Sequence, residues 1–296
     1  MDIFRRGSRP QTEAATAIQT ARSPNVWWQT KHARGQLAGR DVGGFLAGAG
    51  IGTLGGLIGL GGAEFRLPLL IGAFRFQALE AIILNKAMSL VVVATALPFR
   101  MGTVPLAEIV AHFDVVANLL AGSLAGAWFG AGWATRLKST SLYRIIAILL
   151  IAIAAALLFG HDLAQGDPLF DGALRFVAGV VAGFVIGIVA SLLGVAGGEL
   201  LIPTLILLFA ADVKLAGSLS LAVSLPTMIV GFTRYSRDRS FTVLASNKAF
   251  IAVMAAGSIL GTFIGGKLLG IVPAGLLLPL LAGILVVSAW KVWQHR

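Results

Sequence analysis

Residues 194–203 read GVAGGELLIP and residues 59–68 read GLGGAEFRLP. Each places a glutamate in a run of glycines that a proline closes, inside otherwise apolar sequence. A carboxylate in apolar surroundings is costly, so two in one setting call for a common cause. Of the 296 residues, 57% are hydrophobic and only 12% charged, and the mean hydropathy is +0.89. A helix needs about 17–25 apolar residues to cross a hydrocarbon core. Stretches of that order recur at 42–58, 78–98, 113–134, 142–160, 172–192, 214–233, 244–269 and 275–292. Two shorter ones, 64–75 and 199–211, take in the glutamates. The sequence is that of an all-α polytopic membrane protein, with the lipid bilayer as its first partner.

The formal net charge of +10 does not point to nucleic acid. Lys and Arg sit in short segments between the apolar runs, as they do in cytoplasmic loops, and no basic stripe interleaved with aromatics occurs. The absence of cysteine removes disulfides and thiolate metal sites. His32, His112, His161 and His295 are scattered, with no metal-ligand spacing. With no nucleophile–base pairing either, nothing suggests an enzyme or calls for a cofactor or metal. Residues 1–41 carry Arg5, Arg6, Arg9, Arg22, Lys31, Arg34 and Arg40 and lack the apolar core of a signal peptide. They are expected to form a basic cytoplasmic tail, in which Trp27 and Trp28 would suit a surface-anchored helix.

The glutamates are 199 − 64 = 135 residues apart, and the same offset works far beyond them. Without a gap it pairs Gly44 with Gly179, Gly48 with Gly183, Gly52 with Gly187, Pro68 with Pro203 and Ser89 with Ser224. Farther on it pairs Gly122 with Gly257, Ser123 with Ser258, Gly126 with Gly261 and Gly130 with Gly265. The chain is two copies of one unit, 42–160 and 172–296, after the tail. Glycines at every fourth residue, 44, 48, 52 and 122, 126, 130, give a helix face on which another backbone can pack closely.

Loop charge orients the copies. Arg136, Lys138 and Arg144 fall in one loop and Arg234, Arg237 and Arg239 in another, while 161–171 holds Asp162, Asp167 and Asp171 with no Lys or Arg. With basic segments inside and the acidic one outside, each copy needs an odd number of crossings, so both short segments must cross. About ten transmembrane segments result, arranged as two inverted five-segment repeats with broken helices and both termini cytoplasmic. Inverted repeats of this kind build secondary transporters.

A short segment crosses only if part of the span is non-helical, which the glycine runs allow where the backbone faces protein or a wet cavity. Pro68 and Pro203 are then expected in the first turn of a new half-helix. Half-helix N-termini near the membrane midplane attract anions, and inversion brings the two breaks face to face. Glu64 and Glu199 could cap the free N–H groups, pair with Lys86 or Arg66, or stand, when ionised, where an anionic substrate would bind. In the last case protonation couples anion movement to protons. Asn85 and Ser89 are four apart on one helix face, and Ser220 and Ser224 repeat the arrangement. Such hydroxyls either bond their own helix or a ligand. Lys86 either meets the anion or reaches for the interface.

GLGGAEFRLP and GVAGGELLIP resemble the twin Gly-Gly-Gly…Pro motifs of the TauE/SafE family, the sulfite and organosulfonate exporters. NKAMS at 85–89 and GSLSLAVS at 217–224 are similar to stretches of that family, and the resemblance covers about 42–292. It implies a carrier in the bacterial inner membrane for small sulfur-containing or carboxylated anions. Taken together, these features predict a secondary transporter of a sulfonate or sulfite, with protons as one candidate coupling ion. A carrier of short carboxylates or a small-anion channel would use the same features. The expected substrate-binding residues are Gly61, Gly62, Glu64, Asn85, Lys86, Ser89, Gly197, Gly198, Glu199, Ser220 and Ser224, with Glu64 and Glu199 also in the coupling role. A homodimer is compatible with all of this.

Overall fold

The computed structural model describes residues 39–55, 62–100, 105–159, 169–268 and 274–294. The tail up to residue 38, with Trp27 and Trp28, Gly59 to Gly61 of the first glycine run, and residues 161–168 of the acidic segment lie outside the described residues. By contact the chain divides into Met1–Gly43 and Gly44–Arg296. Of the first unit, 39–43 is described and helical. Everything below belongs to the second.

There α1 covers 44–55, followed by α2 (Ala63–Gly72), α3 (Ala78–Arg100), α4 (Leu106–Ala111), α5 (Phe113–Ala134) and α6 (Ser139–Phe159). The next are α7 (Gly172–Leu193), α8 (Gly198–Phe209), α9 (Val213–Tyr235), α10 (Thr242–Ser246), α11 (Lys248–Leu268) and α12 (Ala274–Trp293). Among the described residues no strand occurs. Five helices among the described residues hold spans long and apolar enough to cross a membrane: Ala78–Thr95, Phe113–Ala134, Gly172–Leu193, Lys214–Tyr235 and Lys248–Gly265. The protein is an α-helical membrane protein.

The repeat extends from sequence to helix boundaries. Adding 135 to the first residues of α2, α3, α5 and α6 gives the first residues of α8, α9, α11 and α12. The apolar run 244–269, read as one crossing, is instead interrupted at Asn247, between α10 and α11. Its counterpart His112 separates α4 from α5 in the same way.

Contacts repeat too, and they cross between copies. A side chain at Gly122 or Gly126 of α5 would overlap the backbone of Val180 or Phe184 on α7, and one at Gly183 or Gly187 would overlap Leu119 or Ser123. The same relation, shifted by 135, joins Gly257 and Gly261 of α11 to Phe45 and Ala49 of α1, and Gly48 and Gly52 to Met254 and Ser258. Both pairs meet backbone to backbone, the packing that small residues permit in membranes. α6 packs against α12, its own counterpart, and α3 against α9. Among the described residues the apolar core falls into three clusters, around Leu67, Ile82, Ile146 and Leu285, around Leu119, Leu201, Leu205 and Leu219, and a small one at Val93, Ala196 and Met228.

The half-helices begin earlier than their prolines suggest. Gly62 (φ 71°) and Gly197 (φ 84°) are the N-caps of α2 and α8, in the left-handed region open to glycine. Pro68 and Pro203 therefore lie at the sixth position of each helix, not in the first turn. A proline there has no N–H for the carbonyl four residues back, which is that of Glu64 in one helix and Glu199 in the other. The glutamates occupy the second position, on the turn where the helix dipole favours negative charge.

Candidate functional site

The two breaks bring together a buried polar cluster. Glu64 is 0% exposed and Glu199 5%. Their carboxyl groups are adjacent, close enough to interact directly. Oε1 and Oε2 of Glu64 and Oε2 of Glu199 are buried with no hydrogen-bond partner among the described residues. Neither glutamate caps its helix in the ordinary way. The N-cap positions are glycines with no side chain to offer the first N–H groups.

Beside Glu64 stands Arg66, also on α2 and wholly buried. Its Nε donates to Asn85 Oδ1 (2.8 Å), Nη1 to Ser258 Oγ (3.1 Å) and Nη2 to Ser89 Oγ (2.7 Å). One guanidinium thus joins α2, α3 and α11. Asn85 Nδ2 in turn donates to Ala63 O and Leu193 O, each at 3.0 Å. Ala63 opens α2 and Leu193 closes α7, so this side chain links the two breaks.

Of the expected residues, Gly62, Glu64, Asn85, Ser89 and Glu199 come together here, and Gly197 and Gly198 open the half-helix that carries Glu199. Asn85 and Ser89 use their polar groups on the protein. Lys86 is fully buried and does not reach the interface. Its Nζ donates to Ala190 O on α7 at 3.1 Å, and Gly231 on α9 leaves the space its chain fills. Ser220 bonds Gly217 O of its own helix at 2.9 Å, and Ser224 is buried one turn on. Gly61 is outside the described residues.

Arg66 was legible only as a partner for a glutamate, and Ser258 only as half of a repeated pair. Arg66 has no charged counterpart, since 66 + 135 is Leu201. Ser123, the counterpart of Ser258, bonds Thr227 at 2.7 Å instead. The cations at 66 and 86 both belong to the first copy, facing Leu201 and Leu221 in the second.

Apolar helices thus close around two adjacent buried carboxyl groups and two buried cations, in a membrane protein. A family model described as Sulfite exporter TauE/SafE matches residues 14–157 and 44–292, and the chain belongs to this family of membrane transporters. No curated protein and no solved structure matches it significantly.

Proposed function

We propose that the chain is a secondary transporter of a small anion, a sulfonate or sulfite, in the bacterial inner membrane. The carrying observation is the adjacent, buried carboxyl pair at the starts of two half-helices. Glu64 and Glu199 occupy positions that the helix dipoles make attractive to any anion. Ionised, they take the substrate's place; protonated, they release it to the substrate, which couples anion movement to protons. Other expected residues act with them: Gly62, Gly197 and Gly198 open the half-helices, Lys86 adds positive charge, and Ser89 and Ser224 supply hydroxyls. Asn85 holds the breaks in place.

Ten crossings in two inverted five-segment repeats fit the crossed contacts. If α1 of one copy packs on α11 of the other, and α7 on α5, the copies are related by a two-fold axis. With five crossings each, that axis lies in the membrane plane. Aromatic–arginine pairs support the same sidedness. Arg234 and Arg237 lie over Trp128, 5.4 and 4.9 Å from its ring centre, and Arg144 lies 5.9 Å from that of Trp293. Such pairs suit the cytoplasmic interface, where Lys, Arg and Trp gather, and so support a reading with both termini inside.

Proteoliposomes loaded with sulfite, methanesulfonate or acetate test this directly. Gradient-driven flux of one of them that follows an imposed pH difference is expected. Flux that ignores the pH difference removes the coupling, and electrical currents beyond the turnover of a carrier would make the protein a channel. A preference for acetate would make it a carboxylate carrier.

A further inference from the structure

We propose that Arg66 is the group that selects the substrate, holding an oxyanion by two of its oxygens; this rests on the anion-transport function above. The guanidinium has five N–H donors. Three meet Asn85, Ser89 and Ser258, which leaves one on each Nη nitrogen without a partner among the described residues. All three acceptors are neutral, and the attraction that this fully buried charge receives from Glu64 comes without a hydrogen bond. Glu64, two residues away on the same helix, is near enough to attract the guanidinium, but neither of its oxygens takes a hydrogen bond among the described residues. A cation this immobilised, with a donor free on each arm, matches the paired oxygens of a sulfonate, sulfite or carboxylate. A spherical anion gains only its charge.

The second copy serves as an internal control on a purely structural role. At the equivalent position Leu201 is buried at 1% exposure in a helix of the same start. Ser123, in the place of Ser258, finds Thr227 as its partner. The repeat therefore builds this junction without a charge, and the charge in the first copy needs another reason. Lys86 is the weaker candidate for selection: its ammonium is directed at Ala190 O and lacks the planar fork.

The test is anion binding to the purified full chain in lipid nanodiscs, with methanesulfonate, acetate and chloride as probes. The parent is expected to bind either oxyanion roughly tenfold or more over chloride, the margin that a charge-assisted pair of hydrogen bonds provides. Arg66→Leu, which copies the second repeat, should fold and lose oxyanion binding. Arg66→Lys should keep some affinity for all three probes and lose the preference. Parent-like oxyanion preference in either variant overturns the proposal. Should both fail to fold, Ser89→Ala and Ser258→Ala decide. A lowered oxyanion-to-chloride ratio in them supports selection by the guanidinium, and an unchanged ratio with lowered thermal stability overturns it. A parent that binds and transports none of the probes refutes the transport reading itself. That result differs from a parent that binds while its Arg66 variants bind equally well.

Discussion

The side-chain amide of Asn85 reaches the backbone carbonyl of Leu193, 108 residues away, at 3.0 Å. The same nitrogen bonds Ala63 O, and the amide oxygen accepts from Arg66. Three of the four bonds the side chain can make thus go to the protein, which casts Asn85 as the clamp between two broken segments.

Asn85→Ala should therefore act on stability before it acts on affinity. Two buried carbonyls and an arginine donor lose their partner, a loss of about 2–4 kcal/mol. Thermal unfolding in detergent should shift down clearly for this variant and far less for Ser224→Ala. Equal shifts would contradict the clamp.

Glu64→Gln and Glu199→Gln imitate protonated carboxyls. Both should insert and bind anion, while flux driven by a proton gradient falls and substrate exchange persists. If exchange and gradient-driven flux drop together, the glutamates serve the architecture and not the coupling.

Lys86→Met removes a buried charge but keeps the volume that Gly231 accommodates. Replacing a buried charge by an apolar chain is often neutral or stabilising. The melting temperature should hold or rise, whereas anion uptake falls severalfold. Unchanged uptake would place Lys86 outside the site.

Gly126→Val and Gly261→Val probe the two crossed interfaces. Each would force a side chain into facing backbone, Phe184 in one case and Ala49 in the other. Overpacking of this kind costs about 3 kcal/mol, and the two losses should be similar if the interfaces are equivalent. A harmless Gly261→Val beside a damaging Gly126→Val would break the equivalence.

Sidedness is checked with single cysteines at exposed positions. Ser139→Cys and Ser236→Cys should label from the cytoplasm and Phe170→Cys from the outside. Opposite labelling of 139 and 236 would rule out five crossings per copy.

Much of the architecture was legible because it is written twice. The offset between Glu64 and Glu199 runs through the helix starts and through glycine positions that meet backbone. The short segments were correctly placed, but Pro68 and Pro203 misled about where they begin. Proline suits a first turn, yet the left-handed glycines Gly62 and Gly197 had already started each helix. The centre of the site was harder to read. Arg66 looks like an isolated charge because its acceptors come from Asn85, Ser89 and Ser258, the last of them 192 residues distant. Lys86 and Asn85 are neighbours in sequence and both meet α7, at Ala190 O and Leu193 O, while Asn85 alone also holds α2. Local sequence carries no record of which neighbour a side chain turns toward.

The glycine-lined pairs have a mechanical consequence. Along α5 and along α11 the notches recur every four residues, about 6 Å of helix rise, and each is closed by a facing main chain. Small slides along such a rack drive carbonyls into Cα atoms, so α5 with α7, and α1 with α11, travel as struts. Any opening of the site to one side of the membrane or the other then has to come from tilting these struts about the broken segments. The single amide of Asn85 spans that joint, from Ala63 O to Leu193 O.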